Sequence, residues 1–245
     1  MPETPTKNAQ DSWSDAMTPR QLAFDIPHRT ALGLEDFLVS QSNAAAVSLV
    51  DRWPDWPVRA AVIAGPAGSG KSHLVNVWCV KSQARVVSAA DVTTENVPEL
   101  AAAGALGVED VDKGTLDERA LFHLLNLVRE QRLFVLMTTA TRPGDLQISL
   151  PDFSSRFKAL PLAEIDAPDD ALLSAVLVKQ FSDRQLIVDP AVISYCLVRM
   201  ERSMDTARRL VNEIDKLALA LRKGVSRGLV AKALDNIAGK GRRGD

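Results

Sequence analysis

The sequence has only two cysteines, Cys79 and Cys196, in 245 residues. Both fall in apolar periodic segments with no Cys or His at ligand spacing, which argues against a disulfide framework and a zinc site and leaves two buried thiols. Long hydrophobic runs are missing too. A membrane span needs roughly 20 consecutive apolar residues, whereas the strongest uninterrupted stretch here, Leu133 to Met137, has the size of a buried strand. The first residues, Met1 to Arg20, have no apolar centre between a basic start and a small-residue cleavage site, so they form no secretory signal, and the cytoplasm is the expected compartment. Nor is there an excess of one charge. With 29 Lys and Arg against 31 Asp and Glu the net charge is -2, which argues against a whole-chain polyanion binder. At 46% hydrophobic and 24% charged residues, the composition is that of a soluble globular protein with one large domain, or a domain and a small appendage.

Residues 1–36 read as a disordered leader, because three prolines and few aliphatics in its first part cannot bury enough surface to offset the entropy of ordering. The leader holds a short apolar word, Gln21-Leu22-Ala23-Phe24-Asp25-Ile26-Pro27. Asn43 can cap a helix over 44–49, which the Trp53-Pro54-Asp55-Trp56-Pro57 cluster stops. Alternation follows: strands over 60–64, 85–88, 105–108 and 133–138, and helices over 71–81 and 116–132. Short continuous apolar strands separated by helices imply a parallel α/β sheet covered on both faces. After Pro161 the character changes, and only helical periodicity remains, near 168–183, 190–200, 203–223 and 226–238. The expected organisation is an α/β domain over 37–163, a small all-helical lid over 164–239 and a basic tail over 240–245.

Gly65-Pro66-Ala67-Gly68-Ser69-Gly70-Lys71-Ser72 matches G-x-x-x-x-G-K-S/T between a buried strand and a helix, with His73 following. In such a loop the backbone N–H groups point at phosphate oxygens, the helix dipole adds to them, Lys71 reaches the outer phosphates and Ser72 binds Mg²⁺. A Mg-nucleotide site also needs a carboxylate at the end of a neighbouring strand. The strand over 105–108 ends in Glu109, placed to hold Mg²⁺ through water, and Asp110, placed to orient an attacking water. Thr138 and Thr139 end the next strand and would bring a hydroxyl beside the γ-phosphate. Arg156, in a helical turn before the last strand, and Arg208, opening a long lid helix, are candidates to stabilise transition-state charge. From position alone, each reads more readily as a surface arginine.

Together these residues resemble the AAA+ ATPases of the DnaA family, over about Phe37 to Ala238. Phe37, Val39 and Asn43 match the family's segment near the adenine. The Ser155-Arg156-Phe157 motif resembles its arginine finger, and Arg208 its second sensor. Only Ala89 to Gly104 separates the second strand from the acid-bearing one, so the single-strand-gripping helix pair of DnaA is not expected. Nor is its helix-turn-helix domain, since the sequence stops shortly after the lid. What remains is similar to the shortened DnaA homologues of the Hda type, also called HdaA, which inactivate DnaA. In that group a Gln-Leu-x-Leu peptide before the ATPase domain binds the DNA polymerase III beta sliding clamp, and Gln21, Leu22, Phe24 and Ile26 occupy that place.

The resemblance implies ADP or ATP with Mg²⁺ as ligands and DnaA and the clamp as partners, with DNA reached indirectly through the clamp and no membrane. Arg156 would act in trans on DnaA-bound ATP, and a nucleotide-dependent homo-oligomer fits the same scheme. Glu109 in place of the usual Asp, and Ala140 where an acid is usual, imply a weak ATPase on its own. The alternatives are a DnaC-like helicase loader, a P-loop kinase of a small molecule, and direct DNA binding by the basic end. Residues 199–243 hold 12 Lys and Arg against 5 Asp and Glu, a composition that also suits a merely solvated lid surface.

Overall fold

The structure, a computed structural model, describes residues 38–130 and 133–241. Gln21, Leu22, Phe24, Ile26 and Phe37 lie outside the described residues. Five parallel strands form one sheet in the order β2-β3-β4-β1-β5: β1 (Ala60–Ala64), β2 (Arg85–Ser88), β3 (Ala105–Glu109), β4 (Phe134–Thr139) and β5 (Leu162–Glu164). All five residues of β1 are buried, which is why its sequence, Ala-Ala-Val-Ile-Ala, shows no polar alternation.

The strand pleat divides the core in two. Ala60, Val62, Leu106, Val108, Val135 and Met137 face one side, packed by α3 (Val97–Ala101), α4 (Glu118–Glu130) and α5 (Pro151–Lys158). Ala61, Ile63, Ala105 and Leu136 face the other, under α1 (Ala44–Asp51) and α2 (Lys71–Ser82). Gly107 of β3 faces α2, where an added Cβ would lie 2.9 Å from Val75 Cγ1 and 3.6 Å from Cys79 Sγ. Only a residue without a side chain lets the helix leaving the phosphate loop sit this close to the acid-bearing strand. Between β2 and β3 there is only a 3-10 turn, Ala89–Asp91, and the five-residue α3, in line with the expectation that no helix pair is inserted there.

Two expectations change. Asn43 does not cap α1 through its side chain; instead its Oδ1 accepts from the Ser40 N–H and its Nδ2 donates to the Leu38 carbonyl. Asn43 is 2% exposed, so its amide is turned inward to satisfy the entering chain rather than the helix end. The tryptophan segment does more than stop a helix. Trp56 stacks on Trp78 of α2 with centroids 5.6 Å apart and donates from Nε1 to the Leu49 carbonyl, while Trp53 and Trp56 meet Phe134 of β4 edge-on. These rings bind the start of the domain to α2, adding aromatic contacts to the area they bury.

The lid is α6 (Asp170–Asp183), α7 (Pro190–Arg199), α8 (Met204–Leu221) and α9 (Arg227–Gly241) around its own core of Leu173, Phe181, Leu210, Ile214 and Val230. Asp169, Asp189 and Ser203 cap α6, α7 and α8, each accepting a backbone N–H of the first turn. No helix among the described residues is long and apolar enough to cross a membrane.

Candidate nucleotide site

The phosphate loop joins the C-terminal end of β1 to the start of α2, beside the ends of β3 and β4. Its first residue is hooked to β4, the Gly65 N–H donating to the Thr139 carbonyl at 3.1 Å. Lys71 begins α2 and is 8% exposed; its Nζ donates to the Gly65 and Pro66 carbonyls at 2.6 and 2.9 Å. Burial pushes the ammonium below its usual pKa, and Asp112, Asp110 and Glu109 act against that shift. A cation held in a partly dehydrated loop interacts strongly with an incoming phosphate.

The acids sit where the sequence places them, with roles divided by geometry. Glu109 Oε1 is buried without a partner among the described residues, an acceptor open to a hydrated cation. Asp110 takes a left-handed backbone conformation, φ 60°, which sends its N–H to Thr138 Oγ1 at 3.1 Å, and its carboxylate pairs with Lys113 at 3.0 Å. Thr138 is therefore engaged with the acid turn: its buried hydroxyl accepts from Asp110 and positions it. Thr139, also buried, donates to the Thr141 carbonyl at 2.8 Å.

Asp112 and Lys113 were not singled out from the sequence. Asp112 is the carboxylate that acts most strongly on Lys71, and its Oδ1 is buried without a partner among the described residues. A third acid in the run Glu109-Asp110-Val111-Asp112 was the available signal. Ser69 is buried, and its Oγ has no partner among the described residues. Ser72 and His73 are exposed on the first turn of α2, and Val39 packs against the core beneath α1.

Among the described residues no group of three or more His, Cys, Asp and Glu forms a metal cage. Magnesium held by one or two protein oxygens plus phosphates needs none. The hydroxyl of Ser72 and the orphaned oxygen of Glu109 suit that hard-ligand pattern. Burial pushes both cysteine thiols up to about 11, with Glu109 adding to the effect at Cys79, which keeps them protonated at neutral pH.

The lid meets the phosphate loop directly. The Met204 N–H, at the start of α8, donates to the Gly68 carbonyl at 2.9 Å. Gly68 has φ +71°, and an added Cβ would fall 2.2 Å from Ser203 Oγ. The glycine is thus required both by the turn and by the lid. Arg208 lies one turn further along α8, two-thirds exposed and paired with Asp205 at 2.9 Å. Met204→Pro tests this link. Proline suits the first helical position and its preceding extended residue, but has no N–H to donate. Relative to Met204→Ala, which keeps the donor, Met204→Pro is expected to lose about 1 kcal/mol in urea unfolding; equal stability of the two variants would show that the bond contributes nothing.

Arg156 lies elsewhere. It sits on α5, its guanidinium over the Phe122 ring at 4.8 Å and donating to Asn126 Oδ1. Phe122 lies on the first half of α4 and Asn126 on its second, so the guanidinium is held along the sheet face that α4 and α5 cover, opposite the face covered by α2, the helix that leaves the phosphate loop. Asn126, Arg129, Glu130 and Arg156 line an open polar cleft there. Arg156 and Arg208 are therefore separate features, one on the face covered by α4 and α5 and one on the lid helix that meets the loop.

No protein-family model and no curated protein matches the sequence. Among solved structures, domain III of the Thermotoga maritima replication initiation protein DnaA is similar with TM-score 0.66 and 17% identity, over 82% of this chain and 94% of that one. AMPPCP-bound DnaA from Aquifex aeolicus gives TM-score 0.64 and 21% identity over 84% and 68%. The Thermotoga maritima RuvB Holliday junction branch migration motor gives 0.62 and 18% over 79% and 66%, so the chain spans about two thirds of these longer proteins. With its phosphate loop, parallel sheet and helical lid, the chain has the α/β P-loop AAA+ fold of the DnaA and RuvB ATPase domains.

Proposed function

We propose that this chain is a nucleotide-dependent regulator of replication initiation of the Hda type. It holds ADP or ATP in the loop Gly65 to Ser72, with Mg²⁺ on Ser72 and Glu109, and binds the sliding clamp through Gln21, Leu22, Phe24 and Ile26. It presents Arg156 in trans to DnaA-bound ATP. Bound ADP keeps the α/β domain and lid in the docking arrangement, and hydrolysis takes place in the partner.

The observation that carries this reading is the placement of Arg156. Its guanidinium is oriented by Asn126 and Phe122 on the sheet face opposite the one that α2 covers, as suits an arginine working on a neighbour's nucleotide. Nucleotide binding is supported by the AMPPCP-bound DnaA of the same fold. The decisive experiment is a reconstituted hydrolysis assay with DnaA-ATP, DNA-loaded clamp and this protein. Stimulated release of phosphate supports the regulator, and none in the complete mixture rejects it.

The clamp contact has its own test. An extended peptide sets a few apolar side chains into a groove, and these anchors dominate its affinity. Replacing Gln21 and Leu22 by Ala is expected to abolish clamp pull-down at unchanged melting temperature. Clamp binding that survives the double change would remove the leader from the scheme.

A further inference from the structure

The lid carries charge that the nucleotide site does not use. α8 is 18 residues long, about 27 Å at 1.5 Å per residue. Its inner face, with Ala207, Leu210, Val211, Ile214 and Ala218, is buried in the lid core. On the outer face Arg209 and Lys216 are seven residues apart, two turns or about 10 Å along the axis. Lys223 continues the row just past the helix. Its place is fixed by its own N–H, which donates to the Ala218 carbonyl at 3.1 Å across the left-handed cap residue Arg222, a bond pattern that closes a helix end.

All three cations are exposed, as are Arg222 and Arg227 beside Lys223. Among the described residues Lys216, Arg222, Lys223 and Arg227 make no ion pair, and Arg209 reaches Asp205 only at 4.0 Å. The neighbouring acids are few. Asp205 is held by Arg208 at 2.9 Å, Glu213 accepts from Asn236 of α9 at 2.8 Å, and Asp215 lies on the adjacent flank of α8. Arg184, at the end of α6, donates to Asn212 Oδ1 and adds a cation beside the row.

We propose that this outer face of α8, with the turn that follows it, binds the phosphate backbone of duplex DNA directly. A row of exposed cations along a helix and the turn that closes it, in which only Arg209 has an acid within reach, Asp205 at 4.0 Å, complements a long, regularly charged polyanion better than a compact acidic peptide. The contact goes beyond the proposed regulator, in which DNA is reached through the clamp. It is independent of that reading, since it needs neither DnaA nor clamp.

The test is fluorescence anisotropy of the full chain with a labelled 30-base-pair duplex, without clamp, across 50–200 mM salt. Each neutralised phosphate contributes a slope of about -0.9 in log affinity against log salt. Three contacts therefore predict a slope near -2.7 and a loss of about 40-fold over that range. The triple variant Arg209→Ala, Lys216→Ala, Lys223→Ala should lose most of that slope. A control with the same charge change on the α/β domain, Arg52→Ala, Lys81→Ala, Arg119→Ala, should keep it. The proposal is overturned if the wild type does not bind at 50 mM salt, or if both triple variants lose the same affinity. It is also overturned if the lid variant loses only its binding to phosphatidylglycerol vesicles while duplex binding stands.

Discussion

Arg156→Ala is expected to fold, to bind ADP as the wild type does, and to stimulate hydrolysis of DnaA-bound ATP no more than a blank. An arginine supplied in trans to a phosphoryl-transfer site is worth about 10³ to 10⁵ in rate, so loss of one side chain accounts for almost the whole effect. Stability changes little by comparison. The variant gives up a cation–π contact with Phe122 and a bond to Asn126, together about 1 kcal/mol. Release of phosphate from DnaA-ATP with loaded clamp is the measurement, paired with a melting curve. Full stimulation by a folded Arg156→Ala protein would reject the trans-acting role.

Lys71→Ala has the second largest expected effect. A ligand that binds only the native state at 100 times its Kd adds about 2.7 kcal/mol of stability, about 5–10 °C in melting temperature for a domain of this size. Without the ammonium that faces the phosphates, that ADP-induced rise should vanish. The unliganded protein should melt near the wild-type temperature, because the substitution removes two hydrogen bonds to Gly65 and Pro66 and also a buried charge whose desolvation is unfavourable. Differential scanning fluorimetry with and without ADP separates the two effects. A rise as large as in the wild type would mean that nucleotide is not bound at this loop.

Most of the fold was legible along the chain. Strands at 60–64 and 85–88 agree with the structure to the residue, and the lid helices agree within a few residues at each end. Buried strands read as unbroken apolar words and lid helices as three-to-four-residue periodicity, both properties of adjacent residues. The helix expected over 116–132 is described over Glu118–Glu130, starting after Asp117, whose carboxylate accepts from the Ala120 N–H. Asn43 stands at the N-cap position of α1, as its local preference suggests, but its amide is claimed by Leu38 and Ser40 of the entering segment and makes no cap bond.

By itself the sequence determined the phosphate loop, the acid pair at a strand end, the alternation that makes a parallel sheet and the switch to an all-helical lid. Each depends on backbone demands met within a few residues: glycines where the chain curls, apolar runs where both faces are covered, caps where helices begin. Only the tertiary structure decided that Met204 bonds Gly68, that Asp112 acts most strongly on Lys71, that Thr138 holds the turn of Asp110, and that Asn126 and Phe122 aim Arg156. Most of these contacts join residues far apart in sequence, and Asp112 and Lys71 meet only because the sheet gathers the segments that follow β3 and β1 at one end. They exist because the sheet and its helices bring those side chains within hydrogen-bond or Coulomb range, a juxtaposition that no local pattern encodes.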